Sequence, residues 1–190
     1  MSGKDKILNS FPLSLTNDVV RVIDMLKVKD DDVSNRHYNV TLAGTIMHIP
    51  ERIYMSDLKP HRDMTNVDSI IIDCIFTRHY DGFVRQQHLQ SLLNCMEYWV
   101  IPFFFRLLGE YVEEILFDVK VHIDSNIDNY VRFIEENKTF FDKTKNQMIS
   151  YWDCYYRTKC PKRESYIGFI IFSYLEMAYK KRLNHIEQFG

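Results

Sequence analysis

Apolar residues recur at helical spacing over most of the chain beyond residue 65, and this periodicity predicts amphipathic helices. The clearest stripe begins at Pro102 and is formed by Phe105, Leu108, Val112, Ile115, Leu116 and Val119. Gly109 lies on this stripe, although glycine costs about 1 kcal/mol relative to alanine inside a helix. We therefore expect another backbone or a large ring to pack closely there. The end of this helix is ambiguous, because residues 118–123 also alternate as a strand would.

Start signals and apolar stripes predict further helices on both sides of this segment. Thr65 and Asp68 have the spacing of a capping box, and Pro102 suits the first turn of a new helix. Thr16 or Asn17 is predicted to cap the first helix, and Thr139 with Asp142 to cap a later one. The other predicted helices run from Val67 to about Arg78, from Phe83 to Met96, from Ile127 to Ile134 and from Ile167 to Arg182.

The segment from Tyr38 to Met55 follows a different pattern. Val40 and Leu42 alternate with polar neighbours, and Ala43 and Gly44 interrupt the alternation, which predicts a small hairpin or a pair of strands. Pro50 would place the second strand at an edge or bend it. The sequence leaves open whether this element pairs with itself or with a second copy of the chain.

Together these patterns predict a mainly α fold: a single-domain multi-helix bundle with a small N-terminal β-hairpin or strand pair. The length of 190 residues suits one domain. Within it we expect a mobile N-terminal lead at residues 1–12, the small β element at residues 38–55 and the helical core at residues 65–184.

Composition narrows the class of protein. Hydrophobic residues make up 46% of the chain, which is enough for one sizeable core, and the formal net charge is −2 with both signs interspersed. A nucleic-acid binder usually carries a one-signed basic stripe, so we expect no nucleic-acid partner. The N-terminus lacks the apolar core of a signal peptide, and the longest apolar runs are too short to span a bilayer. We therefore expect a soluble cytoplasmic protein without membrane association.

The four cysteines give no metal or disulfide signature. None forms a C-x-x-C pair, so a structural zinc site is not expected. Cys74 and Cys95 fall within apolar helical patterns and are expected to be buried as small hydrophobic residues. The chain also lacks the Glu-x-x-His motifs of di-metal bundles and the Gly-x-Ser-x-Gly turn of serine hydrolases. No cofactor is predicted.

A polar segment between two predicted helices is the most plausible place for a site. It contains Arg78, His79, Asp81 and Arg85 around a turn at residues 80–82. In the structural interpretation, Asp81 caps the second helix, Arg78 reaches a carbonyl or carboxylate, and His79 lies at the surface. In the functional interpretation, the two arginines, the histidine and helix-terminal N–H groups hold a phosphate or a carboxylate.

Glu110 stands out within the most apolar predicted helix. It follows Arg106 by four residues, so the two can pair across one turn, and with Glu113 and Glu114 they fall on the non-core side. A solvated helix face is the simpler interpretation. The alternative is that Glu110 meets Arg78 or Arg85 and ties two helices together through a buried pair.

The last 40 residues are rich in aromatic side chains. They include Tyr151, Trp152, Tyr155, Tyr156, Tyr166, Phe169, Phe172, Tyr174 and Tyr179. A domain of this size cannot hide all of them, and leftover tyrosine and tryptophan favour a partner surface. A homodimer built from the C-terminal helices would cover them most simply.

Two functional hypotheses follow from these patterns. The first is a non-catalytic protein that acts through protein–protein contacts, with a protein partner or as a homo-oligomer. The second is an enzyme or small-anion-binding protein with a ligand site at Arg78, His79, Asp81, Arg85 and Glu110, so whether the chain is an enzyme stays open. Arg85→Ala should separate them: at a ligand site it abolishes anion binding, whereas in a structural cluster it destabilises the fold by about 1–3 kcal/mol.

Overall fold

The fold is mainly α with a small N-terminal β-hairpin, as the sequence predicts. The structure, a computed structural model, describes residues 1–57 and 64–189. The described residues contain eight α-helices and one two-stranded antiparallel sheet. The chain divides into two compact units, residues 1–103 and residues 104–190. The expectation that residues 1–190 form one domain stays a prediction.

The first unit contains four complete α-helices and the hairpin. The helices are α1 (Gly3–Leu8), α2 (Thr16–Leu26), α3 (Asn66–Phe76) and α4 (Gly82–Ser91). Short 3₁₀ turns lie at Leu13–Leu15, Asp30–Asp32 and Tyr98–Val100. Helix α5 (Ile101–Leu107) follows directly and carries Pro102 in its first turn, as predicted, whereas α4 ends at Ser91, before the predicted end at Met96.

The predicted β element is a hairpin that pairs with itself. Strand β1 (His37–Leu42) runs antiparallel to β2 (Thr45–Pro50), with Leu42 opposite Thr45. Ala43 and Gly44 make the two-residue turn with φ angles of 50° and 79°, the left-handed geometry that tight hairpins require. Pro50 ends its strand, where no further ladder hydrogen bond is lost.

The N-terminal segment, expected to be mobile, contains a capped helix with buried side chains. The Ser2 hydroxyl accepts a hydrogen bond from the Asp5 N–H, and the Asp5 carboxylate accepts one from the Ser2 N–H, which closes a capping box on α1. Ile7 is fully buried, and the Phe11 ring stacks on Phe103 with centroids 5.1 Å apart. These contacts pack residues 1–12 into the first unit.

The predicted capping box at the start of α3 is confirmed. Thr65 and Asp68 exchange hydrogen bonds across the first turn. Asp68 is fully buried and also receives the Arg21 guanidinium of α2, with Nη2 2.7 Å from Oδ1. The predicted cap of α2 was wrong: Leu15 precedes the helix, and Thr16 donates its hydroxyl back to the Leu13 carbonyl.

The second unit consists of three long helices with irregular connections. They are α6 (Glu113–Glu136), α7 (Lys138–Tyr151) and α8 (Ile167–Phe189). A π-helical turn (Trp152–Tyr156) extends α7, and a 3₁₀ turn (Arg163–Ser165) precedes α8. The predicted cap at Thr139 was wrong, because α7 begins one residue earlier, after Asn137.

The continuous helix predicted from Pro102 to Val119 was also wrong. Helix α5 ends at Leu107 and α6 begins at Glu113, so residues 108–112 form a break around Gly109. Residues 118–123, which also alternate as a strand would, are helical. The segment predicted as a short helix at Ile127–Ile134 continues α6 beyond a kink at Asn126, where φ is −139°.

Aromatic rings fill the core of the second unit. Phe105 packs against Phe133 with centroids 5.1 Å apart, and Phe141 packs edge-on against Phe172 at 5.4 Å. Buried His122 stacks on Phe104 and shares a hydrogen bond of 2.9 Å with the Tyr130 hydroxyl. These contacts hold α6, α7 and α8 together around one apolar centre.

Candidate functional site

The polar segment predicted from the sequence is the turn between α3 and α4, and a stretch of extended chain supports it. The Ile53 N–H donates to the Arg78 carbonyl at 2.9 Å, and the Tyr80 N–H donates to the Ile53 carbonyl at 3.0 Å. Ile53 is fully buried, so the backbone of the turn is fixed in place. We call the side chains of Arg78, His79, Asp81 and Arg85 the polar corner.

Arg78 is completely buried in the first unit, and backbone carbonyls surround its guanidinium. Nη2 donates to the Glu51 carbonyl at 3.1 Å, Nη1 to the Thr77 carbonyl at 3.2 Å, and Nε to the Pro50 carbonyl at 3.4 Å. Pro50 ends β2 and Glu51 follows it, so Arg78 joins the end of α3 to the end of β2. The predicted contact of Arg78 with a carbonyl is confirmed.

His79 and Asp81 shape the turn itself. His79 is only 4% exposed, so its predicted surface position was wrong. Its Nε2 bonds the Met55 carbonyl at 3.0 Å, and its Nδ1 accepts the Asp81 N–H at 3.1 Å, which fixes the tautomer with the proton on Nε2. Asp81 is the N-cap of α4 and accepts the Phe83 N–H at 2.8 Å, as predicted.

Arg85, in the first turns of α4, points back into the same turn. Its Nη1 donates to the carbonyls of His79 and Tyr80, both at 2.9 Å, and the residue is 2% exposed. The structure therefore brings four of the five predicted site residues together. The contacts described here run mainly to backbone groups, which favours a structural role; anion binding at the polar corner stays a prediction.

Glu110, the fifth predicted residue, belongs to the second unit. It is 2% exposed and Arg106 is 3% exposed, so the expectation that both lie on a solvated helix face was wrong. A methyl group on Gly109 would come within 2.8 Å of the Arg106 Nη1 and 3.0 Å of the Gln147 Oε1. The close approach expected at Gly109 is thus made by two polar side chains rather than by a ring or a backbone.

A histidine between two carboxylates was not predicted. His88 in α4 bonds the Asp73 carboxylate through Nδ1 at 2.6 Å and the Asp57 carboxylate through Nε2 at 2.9 Å. Burial of the ring opposes its charge, but the hydrogen bonds to both carboxylates outweigh burial and raise the pKa of His88. Asp57 is 31 residues away in the chain, and no spacing rule connects the two.

Residues 1–57 and 64–189 contain neither a cluster of metal ligands nor a membrane-spanning helix. No group of three or more histidine, cysteine or acidic side chains there could hold a metal ion. None of the helices described combines the length and the apolar character that crossing a bilayer requires. Cys74 is fully buried, as predicted, and burial raises the pKa of its thiol; Cys95 is only half-buried.

The surface of the second unit includes an uncovered part of α8 and a groove beside it. Among residues 167–185 of α8, whose side chains the structure describes, the last buried one is Leu175, and residues 176–185 are all exposed or half-buried. A groove of about 650 Å³ lies between this part of α8 and α6, and its lining combines apolar Ile127, Val131 and Met177 with charged Asp128, Lys181 and Arg182. A groove with an apolar floor and charged edges beside an uncovered helix is a typical protein-binding feature.

Comparison of the chain with protein-family models, with curated proteins and with solved structures finds no significant match.

Proposed function

We propose that this chain is a non-catalytic protein that acts through protein–protein contacts, and that its second unit associates with a second copy of the chain. The observation that carries the proposal is the second half of α8. From residue 176 to residue 185, the helix has no buried side chain. Most helical stability in proteins comes from the packing of an apolar face, so a partner surface would stabilise this part of α8.

The exposed apolar side chains of α8 are bordered by cations. Met177 is 63% exposed and Leu183 is 38% exposed. Residues 176–185 contain three lysine or arginine side chains and one carboxylate, a formal charge of 3 − 1 = +2. Lys180 and Lys181 form no ion pair within the residues that the structure describes. This surface therefore suits an apolar partner surface with carboxylates around it.

The first half of α6, in the same unit, combines exposed apolar side chains with an acidic charge that would complement the basic surface of α8. Phe117 and Val121 are 54% and 56% exposed, and their spacing of four residues places them on one helix face. Residues 113–124 contain four carboxylates and one lysine, a formal charge of 1 − 4 = −3. In a two-fold dimer, α6 of each chain would meet α8 of the other, so both contacts form together.

Light scattering coupled to size-exclusion chromatography tests this proposal. We expect a dimer at about 100 µM protein, a concentration at which a complex with micromolar affinity is mostly formed. Met177→Lys should yield a monomer, because it places a fourth cation in the centre of the apolar contact. Ile46→Lys is the matched control, since Ile46 is also 63% exposed but lies in the hairpin of the first unit.

Two results of this experiment would contradict self-association. Wild-type protein that stays monomeric at this concentration contradicts self-association, and so does a dimer that Met177→Lys leaves intact. Raising the salt concentration should weaken the dimer, because exposed charges separated by more than about 10 Å are screened at 0.1 M salt. A melting temperature of Met177→Lys close to that of the Ile46→Lys control shows that the variant is folded.

A further inference from the structure

Three tyrosine rings of the second unit lie close together at its surface. The ring centroids of Tyr111 and Tyr151 are 5.9 Å apart, those of Tyr111 and Tyr155 are 5.9 Å apart, and those of Tyr151 and Tyr155 are 6.1 Å apart. The interplanar angles are 59°, 40° and 33°, so the rings are tilted rather than edge-on. We call these residues the tyrosine triad.

The triad is open to solvent and yet held in place. Tyr111 and Tyr155 are 51% and 65% exposed. Tyr111 lies in the break between α5 and α6, and its carbonyl accepts a hydrogen bond from the Tyr156 hydroxyl at 2.5 Å. Tyr151 ends α7 and Tyr155 lies in the π-helical turn that follows, a rare conformation that recurs at functional sites. Exposed rings with a fixed arrangement form a preorganised surface.

The geometry suits a cation. Because the three centroids form a nearly equilateral triangle, a charge about 3 Å above their plane lies about 4.5 Å from each ring, within the range of about 6 Å for cation–π attraction. Elsewhere the unit covers ring faces with its own cations: Arg163 lies 5.3 Å from the Trp152 centroid, and Lys120 lies 5.1 Å from that of Tyr174. In the described part of the chain, no lysine or arginine covers a ring of the triad.

Two carboxylates follow Tyr111 closely in the chain. Glu113 and Glu114 begin α6 two and three residues after Tyr111. Burial raises the pKa of the Tyr156 phenol and the charges of both carboxylates raise it further, whereas a hydrogen bond from the Glu113 backbone and the charge of Lys159 lower it. Lys159 pairs with Glu113 at 2.9 Å, whereas Glu114 forms no ion pair within the described residues. The charge of Glu114, three residues after Tyr111, favours a cationic ligand at the triad.

We propose that Tyr111, Tyr151 and Tyr155 bind a trimethylammonium group, as found in choline and in trimethylated lysine. Such a group is bulky, weakly hydrated and positively charged, so it can leave water and contact three rings at once. This site lies beyond the self-association proposed above and does not depend on it. The carboxylates at the start of α6 predict that trimethyl-lysine binds more tightly than phosphocholine, whose phosphate they repel.

Proton NMR titration of the full chain tests the site with choline as the probe. We expect saturable broadening or shift of the N-methyl signal, and no comparable effect from 3,3-dimethylbutan-1-ol, the neutral isostere of choline. Tyr155→Ala should weaken choline binding about three- to fivefold, and Tyr155→Phe should retain most of it, because the ring face rather than the hydroxyl contacts the cation.

A pair of exposed tyrosines in the first unit supplies the matched control. Tyr54 and Tyr80 of the first unit stack at 6.1 Å, but only as a pair, so Tyr80→Ala should leave choline binding unchanged. Equal binding of choline and its neutral isostere, or an equal loss in Tyr155→Ala and Tyr80→Ala, would overturn the proposal. Absence of saturable choline binding in the wild-type protein would overturn it as well, and so would phosphocholine binding more tightly than a trimethyl-lysine peptide.

Discussion

The polar corner of the first unit and the tyrosine triad of the second invert the usual distribution of side chains. Arg78 and Arg85 are charged and almost completely buried, whereas Tyr111 and Tyr155 are aromatic and more than half exposed. The two guanidinium groups donate several hydrogen bonds to backbone carbonyls. The tyrosine rings instead keep much of their surface in contact with solvent.

The comparison shows that residue type alone is a poor guide to where a protein acts. Arginine and histidine drew attention in the sequence because they are the usual residues of anion sites. In the structure, their contacts mainly complete the hydrogen bonding of a turn that has little regular structure of its own. A buried backbone carbonyl without a donor is costly, and a long guanidinium can serve several carbonyls at once.

Removal of the Arg78 guanidinium is expected to have the largest effect. Arg78→Met keeps the apolar part of the side chain but leaves two buried carbonyls and the part-buried Glu51 carbonyl without this donor, which should lower the free energy of unfolding by about 3 kcal/mol. Urea denaturation measures the loss. Arg36→Met is the control, because the Arg36 side chain is 86% exposed and such surface pairs contribute less than about 1 kcal/mol.

Arg85→Ala extends this test to the competing hypothesis of an anion site. A structural role predicts destabilisation by about 1–3 kcal/mol, because the carbonyls of His79 and Tyr80 lose their donor. Unchanged stability together with loss of phosphate binding, measured by calorimetry on wild-type and variant protein, would instead show that the polar corner is a ligand site.

Substitutions of two buried tyrosines of the second unit are expected to change the stability of the protein by smaller amounts and in opposite directions. The Tyr166 hydroxyl is buried and has no hydrogen-bond partner in the described part of the chain, so Tyr166→Phe should stabilise the protein by about 1 kcal/mol. The Tyr130 hydroxyl bonds His122, so Tyr130→Phe should destabilise it by about 1 kcal/mol. Thermal unfolding of the two variants, with Tyr155→Phe as an exposed control, measures both changes; a shared sign would contradict the hydrogen-bond assignment.

The smallest expected effect is the pH dependence contributed by His88. Its pKa is raised in the folded protein, so its stabilisation is complete below the unfolded value of about 6.5 and is lost as the pH rises through the folded value. Neutral His88 keeps one N–H and can donate to only one of its two carboxylates. The Asp57 side chain is 37% exposed, so we expect a change below about 1 kcal/mol.

Urea denaturation at about pH 5.5 and about pH 8.5, on either side of an ordinary histidine pKa, measures this change. Wild-type protein should lose stability relative to His88→Gln between these values, because glutamine does not titrate. His185→Gln is a control for histidine removal, since the His185 side chain is exposed. A greater relative stability of the wild-type protein at the higher pH would contradict the direction of the shift.

Features set by neighbouring residues could be predicted from the sequence. The capping box of Thr65 and Asp68, the cap at Asp81 and the hairpin turn at Ala43 and Gly44 each depend on a few adjacent positions, and all three are present. The break at residues 108–112 was missed, because apolar residues continue through it at helical spacing. In the structure, the Arg106 and Gln147 side chains lie against Gly109 at this break, and the spacing of residues does not reveal that contact.

Features that depend on distant segments could not be predicted. Arg78 meets carbonyls at the end of the hairpin that lie 27 and 28 positions away in the chain. His88 meets Asp57 across a similar separation. The tyrosine triad combines Tyr111 with two residues about 40 positions later, and although the excess of aromatic residues was visible, their grouping was not.

The backbone of Ile53 belongs to two bridges at once, antiparallel to Val33 and parallel to His79. The Ile53 N–H and the Tyr80 N–H therefore form their hydrogen bonds within the same pairing of two short stretches of chain. Solvent can reach either proton only when that stretch opens, so the two protons should exchange with deuterium at nearly the same slow rate. The turn between α3 and α4 then has no independent opening motion: it loosens only together with the chain that leaves the hairpin.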